Sequence, residues 1–442
     1  MIEKIFKIKE AGSNYQKEII GGITTFLTLS YILFVQPIVL SQAGMEKGAV
    51  FVATVLGSLI ATVLMAILAN YPIALAPAMG HNFFFAYTVV LLMKIPWQVA
   101  LGSVFIASSL FVILSRWGFR EKIIQIVPES LKHGIAVGIG LLIALVGLEW
   151  GGIVVGKPGT IIGLGDLHSP IVLITLFGVL TTIILMVLKV RGFLLFGILS
   201  STIVSLIFGY AKYEGIFSLP PSIAPTFLKL DILGAFKLKY IEVIFVFFFL
   251  ALFDTVGTLI GVTKQAGLMK NGNLPRAREA LISDAIGTTT GSLLGTSTIT
   301  CYIESAAGVA EGAKTGFANI ITAFLFLISL FFYPVIAMVG KGYTINDITY
   351  YPTISCALII VGSFMFKLTK DINWEDLQEA IPAFLSILVM PVTFSITEGI
   401  AFGFISYSIL SIFSKKFKKI HWLFHLFSLL FILRYIFLFH NA

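Results

Sequence analysis

The sequence predicts an all-α polytopic membrane protein with fourteen transmembrane segments arranged as two inverted seven-span repeats. Three observations carry that prediction. Of 442 residues, 58% are hydrophobic and only 12% charged, with a mean hydropathy of +1.00. A water-soluble chain of this length could not cover such a surface with polar groups. Lysine and arginine fall between the apolar runs in an alternating pattern. Finally, two of the runs, at corresponding places in the two halves, are short and interrupted by short extended stretches.

A bilayer core is crossed by roughly 17–25 helical residues. Runs of about that size lie near 19–40, 49–70, 73–92 and 97–115, then 133–150, 170–188 and 193–210. They resume near 241–263, 279–296, 298–312 and 316–339, and end with 350–366, 380–396 and 398–413. Residues 1–18 are charged and polar, so the first run reads as a span that stays, not as a cleaved signal. A last apolar piece, 420–439, carries Arg434, His421 and His425. It is either an amphipathic helix in the interface or a fifteenth span.

Charge fixes the orientation. With a cytoplasmic N-terminus, the inside segments hold 21 Lys and Arg residues and the outside segments 8, half of the latter in the long loop before residue 241. That asymmetry follows the positive-inside rule and fits an even number of spans in the cytoplasmic membrane. The net charge of +8 therefore reports topology and does not point to nucleic acid. Cys301 and Cys356 form no CxxC pair and suggest neither a metal site nor a disulfide framework.

Seven spans end near 210 and seven more begin near 241. An odd number per half inserts the halves with opposite orientation. The third and tenth spans are the interrupted ones, which is the pattern of an inverted-repeat secondary transporter whose site lies at the broken helices. In "ALAPAMGHNFFFAYTVV", Ala74–Val90, Pro77 cannot donate a backbone hydrogen bond and disfavours helix before it. Gly80 permits a bend. Residues 71–77 read as extended and 80–92 as a half-helix, with Asn82 in its first turn at the positive end of the dipole. Asn82 either contacts a ligand or caps that helix. In "LLGTSTITCYIESAAGVAEGAKTG", Leu293–Gly316, the β-branched, hydroxyl-rich Thr296–Thr300 suits an extended segment. The small residues Ser305–Gly308 suit close helix packing. Glu304 sits between them, one turn into a second half-helix, as a site carboxylate or as a cap. Thr300 ends the extended piece and is a further substrate-contact candidate.

Asp254, in "FVFFFLALFDTVGTLIGV", is the only charge between Glu242 and Lys264, near the middle of the eighth span. An ionised side chain there costs on the order of 3 kcal/mol, so it is functional or paired with a base, and this span contains none. A carboxylate out of water is neutralised most cheaply by a proton, which makes Asp254 and Glu304 the candidate proton carriers.

His81 could face the same cavity or serve packing. Phe83–Phe85 and Phe247–Phe249 could stack on a flat ring, although Phe is abundant here and most serve packing. Asp284 and Glu311 read as span-end residues, solvated or paired. "GGIVVGKP", Gly151–Pro158, mimics a phosphate loop but has Pro158 where Ser or Thr would hold magnesium. Neither GxSxG nor HExxH occurs, and His421 and His425 lack a third ligand. An enzyme, a metal centre and a bound cofactor are accordingly not expected.

The motifs "APAMGHNFFFAYTVV", "LFDTVGTLIGVTKQAG", "LPRAREALISDAIGTTTGSLLGTSTITCYIESAAGVAEGAKTG" and "MPVTFSITEGIAFGFISY" together resemble the purine permeases of the nucleobase–cation symporter family, adenine/guanine/hypoxanthine subgroup. The resemblance covers nearly the whole chain. It implies a core domain from spans one to four and eight to eleven (1–122 and 237–341) and a gate domain from the rest (123–236 and 342–442). It further implies a homodimer through the gate domains and coupling to protons. The amide of span three, the acids of span eight and the glutamate of span ten in that family match Asn82, Asp254 and Glu304. Two positions depart from the family pattern: His81 stands where Leu is usual, and Ala251 where many relatives carry an acid or amide.

The expected function is proton-coupled import of a purine nucleobase by alternating access. Adenine is the first candidate, guanine and hypoxanthine the next. The substrate-contact set is Asn82, Glu304, Asp254, His81, Phe83 and Thr300. Uracil, xanthine or an anion on the same fold is the alternative, although no basic residue stands at the half-helix ends. An ion channel is a more distant one.

Overall fold

The computed structural model describes residues 2–116, 127–157, 159–237, 240–269, 274–345, 348–414 and 420–437. Arg120, Lys122, Lys239, Lys270, Lys415, Lys416, Lys418 and Lys419 of the orientation count, and Pro158, lie outside them.

Fourteen apolar segments follow one another as the sequence predicts. Among the described residues, nine helical stretches are long and apolar enough to cross a membrane unaided: Tyr15–Gln42, Lys47–Ala69, Trp97–Ser115, Glu129–Trp150, Pro170–Val187, Ile241–Gln265, Gly316–Val339, Pro352–Asp371 and Ile396–Phe413. The remaining five are spans 3 (Leu75–Pro77 with Met79–Leu92), 7 (Phe193–Ile207), 9 (Ala277–Leu294), 10 (Ile299–Cys301 with Ser305–Ala310) and 13 (Leu377–Thr393). They are shorter or more polar. Spans 9 and 10 are rich in Thr, Ser and Gly, which lowers their hydropathy, whereas the span 3 helix, Met79–Leu92, is apolar but short.

Helix starts are set by capping. Asn14 accepts from the Lys17 amide at 2.9 Å, and Glu46 accepts from the amides of Gly48 and Ala49. The start of span 11 is bound most heavily. Glu18, fully buried on span 1, accepts from the amides of Lys314 and Thr315 and from the Thr315 hydroxyl. Asn70, left-handed at the end of span 2 (φ 52°), accepts from the Gly316 amide at 2.7 Å and donates to Phe6 O. These bonds answer the otherwise orphaned N–H groups of a helix start.

The chain forms two compact units, residues 1–117 with 147–357, and residues 118–146 with 358–442. In the first unit, small residues let helices touch backbone to backbone. A Cβ on Gly287 of span 9 would stand 2.5 Å from the Ala61 Cβ of span 2, and one on Gly308 of span 10 would stand 2.5 Å from Gly21 O of span 1. This is the packing by which membrane helices associate without a hydrophobic driving force.

In the second unit, spans 13 and 14 pack through Gly399 and Gly403, and the Ser386 hydroxyl donates to Gly399 O at 2.9 Å. The piece left open between interface and membrane is a helix, Trp422–Phe437. It runs antiparallel along span 14: His425 meets Ser408, the Ser428 hydroxyl donates to Phe404 O at 2.9 Å, and Arg434 pairs with Glu398 at 2.7 Å. The Phe404 and Phe424 rings stack at 4.4 Å.

Candidate functional site

The site grows from two broken spans that meet. β1 (Leu75–Pro77) pairs antiparallel with β4 (Ile299–Cys301), Ala76 opposite Thr300; the exposed hairpins β2–β3 (Val154–Lys157, Thr160–Leu164) and β5–β6 (Tyr343–Ile345, Ile348–Tyr350) lie elsewhere in the chain. The pairing is extended by the Ala78 amide to Thr298 O and the Tyr302 amide to Ala74 O, both at 3.0 Å.

Backbone that leaves a helix at this depth must find partners inside the protein. Here two threonines do the same job in the two halves. The Thr62 hydroxyl of span 2 donates to Leu75 O and accepts from the Leu75 amide. The Thr288 hydroxyl of span 9 donates to Ile299 O and accepts from the Ile299 amide. Asn319 adds two bonds, to Tyr71 O and Ile73 O.

The first half-helix begins at Met79, winds as α to Phe83 and then wider as π through Phe84–Leu92. Asn82 falls in its first turn, as its sequence position predicts. It is fully buried, and its Oδ1 accepts from the Ser297 hydroxyl. Ser297 in turn accepts from Gln36 Nε2 at 3.1 Å, which also donates to Thr296 at 3.0 Å. Asn82 Nδ2 has no hydrogen-bond partner among the described residues. His81 is 2% exposed, and neither ring nitrogen has a hydrogen-bond partner among them. Phe83 is buried, its ring stacked on Tyr87 at 5.6 Å and tilted against Trp150.

The second half-helix is Ser305–Ala310. It starts later than the sequence suggests. Glu304 is its N-cap residue, not a first-turn residue, because Tyr302–Glu304 are spent on the turn out of β4, closed by the Ser305 amide on Tyr302 O. The carboxylate makes no capping bond; its Oε1 accepts from the Tyr31 hydroxyl at 2.9 Å. The Tyr302 hydroxyl donates to Pro77 O at 2.6 Å, fastening the end of β4 to β1.

Asp254 lies midway along span 8 with a side chain 44% exposed, a rare setting for an acid at that depth. Its Oδ2 accepts from the Thr300 hydroxyl at 3.1 Å and stands 3.8 Å from His81 Nδ1. Further along the helix, Gly257 and Gly261 are also exposed. A Cβ on Gly257 would meet nothing within 4 Å, and one on Gly261 only the Ile303 side chain at 3.6 Å. Asp254, Gly257 and Gly261 form one stripe at helical spacing, so a carboxylate is followed by bare backbone against which a flat ring can lie.

Asp284 is a correction to its reading as a span-end residue. It is buried in the middle of span 9, where it accepts from the Thr255 hydroxyl at 2.9 Å. It borders a cavity of about 10 Å³ with Ala251, Ser108, Thr288 and Thr298, at the lower limit for one water. Glu311 is ion-paired with Arg191 at 2.6 Å. Sequence reasoning also missed Tyr31, Gln36, Ser297 and Tyr302. Gln36 was findable, as a lone amide inside the apolar run "YILFVQPIVL". The others carry no signal beyond residue type.

The arrangement offers two carboxylates that accept hydrogen bonds, one half-open and one partly buried, beside a buried framework of amide, hydroxyl and imidazole groups. A model described as "Permease family" (Xan_ur_permease) matches residues 16–402. The chain is 44% identical over 449 residues to the guanine/hypoxanthine permease PbuG of Bacillus subtilis, covering 99% of this chain and 100% of that one. It is 41% identical over 439 residues to the adenine permease AdeP of Escherichia coli, covering 99% and 96%. Among solved structures it resembles the transmembrane domain of a cyanobacterium bicarbonate transporter, BicA, with a TM-score of 0.66 over 87% of this chain and 97% of that one. At 15% identity that likeness speaks for the fold alone, an inverted repeat of core and gate elements.

Proposed function

The chain belongs to this permease family, and from that membership we propose that it imports a purine nucleobase together with protons by alternating access. It is a multi-pass membrane transporter and not an enzyme. The observation that supports the substrate most directly is identity above 40%, over nearly the full length, to permeases named for adenine and for guanine/hypoxanthine. The acidic site agrees with it. Purines carry ring and exocyclic N–H donors, which carboxylates match, and each donor left unmatched in a dry site costs kilocalories.

In this reading the purine lies on the glycine stripe of span 8, between Asp254 and Glu304. Its N–H groups donate to the two carboxylates. Thr300 holds Asp254 in place, while Asn82, His81 and Phe83 form the wall behind it. Asp254 and Glu304 are the proton-coupling candidates. The core domain comprises 1–122 and 237–341, the gate domain 123–236 and 342–442, and two copies associate through their gates. The N-terminus is cytoplasmic and the membrane is the cytoplasmic one. An anion substrate is disfavoured, because the half-open group is a carboxylate.

Purified protein in liposomes tests this. Labelled adenine should accumulate when the outside is acidified, and unlabelled guanine, hypoxanthine, xanthine and uracil should compete in an order that fixes the preferred base. No saturable uptake of any purine under a proton gradient would refute the assignment.

A further inference from the structure

The proposed coupling asks Asp254 to do two things that compete. As a carboxylate it accepts a purine N–H strongly, whereas as the protonated carrier it accepts only through its free oxygen and more weakly. The two oxygens of its carboxylate are in different surroundings. Oδ2 is turned inward, to the Thr300 hydroxyl at 3.1 Å and His81 Nδ1 at 3.8 Å, while the side chain as a whole remains 44% exposed. His81 is 2% exposed, with no hydrogen-bond partner on either ring nitrogen among the described residues. A buried imidazole without partners is costly, so its place beside the only half-open mid-span acid described in the site calls for a reason.

We propose that His81 is a positioning residue that stores the coupling proton while Asp254 binds the purine. This rests on the purine–proton symport reading above. Once the 3.8 Å gap closes to hydrogen-bond length, one proton moves between Asp254 Oδ2 and His81 Nδ1, an O–H bond breaking as an N–H bond forms. The pair passes from carboxylic acid and imidazole to carboxylate and imidazolium. Its net charge is zero in both forms, but the second sets a buried positive charge beside the carboxylate, so it is reached when the purine's N–H groups stabilise that carboxylate. In the second form the outward oxygen shares the carboxylate's negative charge and accepts from the purine as a charged acceptor, so proton and purine favour each other's binding. That is a positive coupling between two sites. When the purine leaves, the proton returns to Asp254 and exits by the same open face.

The other titratable groups around the pair are acidic or phenolic. Tyr302 and Glu304 lie within electrostatic reach of Asp254 from the β4 side, and Tyr31 of span 1 is bonded to Glu304. Asp284 lies behind span 8 on Thr255.

The test uses His81→Leu and His81→Gln in the full-length protein in liposomes. Two readouts are needed: purine counterflow without a gradient, and accumulation driven by a proton gradient across a range of pH. In both variants gradient-driven accumulation should fall about tenfold further than counterflow does, and its pH dependence should flatten. Gln keeps a polar side chain of similar size, so it reads the proton role even if Leu perturbs folding. A wild-type pH profile and full accumulation in either variant would overturn the proposal. So would loss of counterflow in parallel with accumulation in both variants at normal membrane levels, since that places His81 in purine binding alone. Failure of the wild-type protein to take up any purine would instead refute the symport reading.

Discussion

The two broken spans occupy equivalent places in the inverted halves, yet they present opposite chemistry. The break in span 3 is closed: Asn82, His81 and Phe83 are all 2% exposed or less, and Asn82 is bonded to Ser297. The break in span 10, with span 8 beside it, is open: Asp254 is 44% exposed, Glu304 is partly so, and Ile303 between the strand and the half-helix is 55% exposed. Pseudo-symmetry is kept where backbone must be satisfied, by Thr62 on Leu75 and Thr288 on Ile299, and abandoned where a ligand would be met. On the proposed reading, one break serves as framework and the other as contact surface.

That division has measurable consequences. The largest belongs to the contact side. Glu304→Ala should cut purine uptake by at least about a hundredfold at normal membrane level, because a matched donor in the purine loses its only kind of partner. Near-normal uptake would move the purine away from span 10. Asp254→Asn should next abolish gradient-driven accumulation. On the symport reading, uptake by the unaltered protein should fall as external pH rises; in Asp254→Asn that slope should vanish, and counterflow should weaken because the purine loses a carboxylate partner. A wild-type slope would exclude Asp254 as the carrier.

The framework side predicts a different signature. Asn82→Ala leaves the buried Ser297 hydroxyl without its acceptor, so thermal stability should drop by about 1–3 kcal/mol together with the loss of uptake. Lost uptake with unchanged melting would instead make Asn82 a direct purine ligand and erase the division between the two breaks. Glu18→Gln, remote from the pocket, should lower stability by about 1.5–3 kcal/mol through the start of span 11 and leave the purine KM unchanged. Smallest is a topological effect. If Trp422–Phe437 returns beside span 14, a tag after residue 442 should be labelled from outside the cell, opposite to an N-terminal tag, with no change in transport.

Much of this was legible in the sequence, and for a physical reason. A bilayer admits only spans whose backbone is satisfied internally, so hydropathy, Lys/Arg asymmetry and two Pro- or Thr-marked interruptions pointed to the fourteen segments, to breaks at 71–77 and 296–300 where the strands are Leu75–Pro77 and Ile299–Cys301, and to the acid midway along span 8. Tertiary structure alone decided how those polar groups divide their work. Which of Asn82, Asp254 and Glu304 is open depends on what another span lays against it, and that is set by packing across hundreds of residues. The Gln36–Ser297–Asn82 chain, the Tyr31 bond to Glu304 and the nearness of His81 to Asp254 each join residues from different spans. Local pattern carries no record of such pairings, because periodicity reports which face of a helix is apolar and not which neighbour it meets.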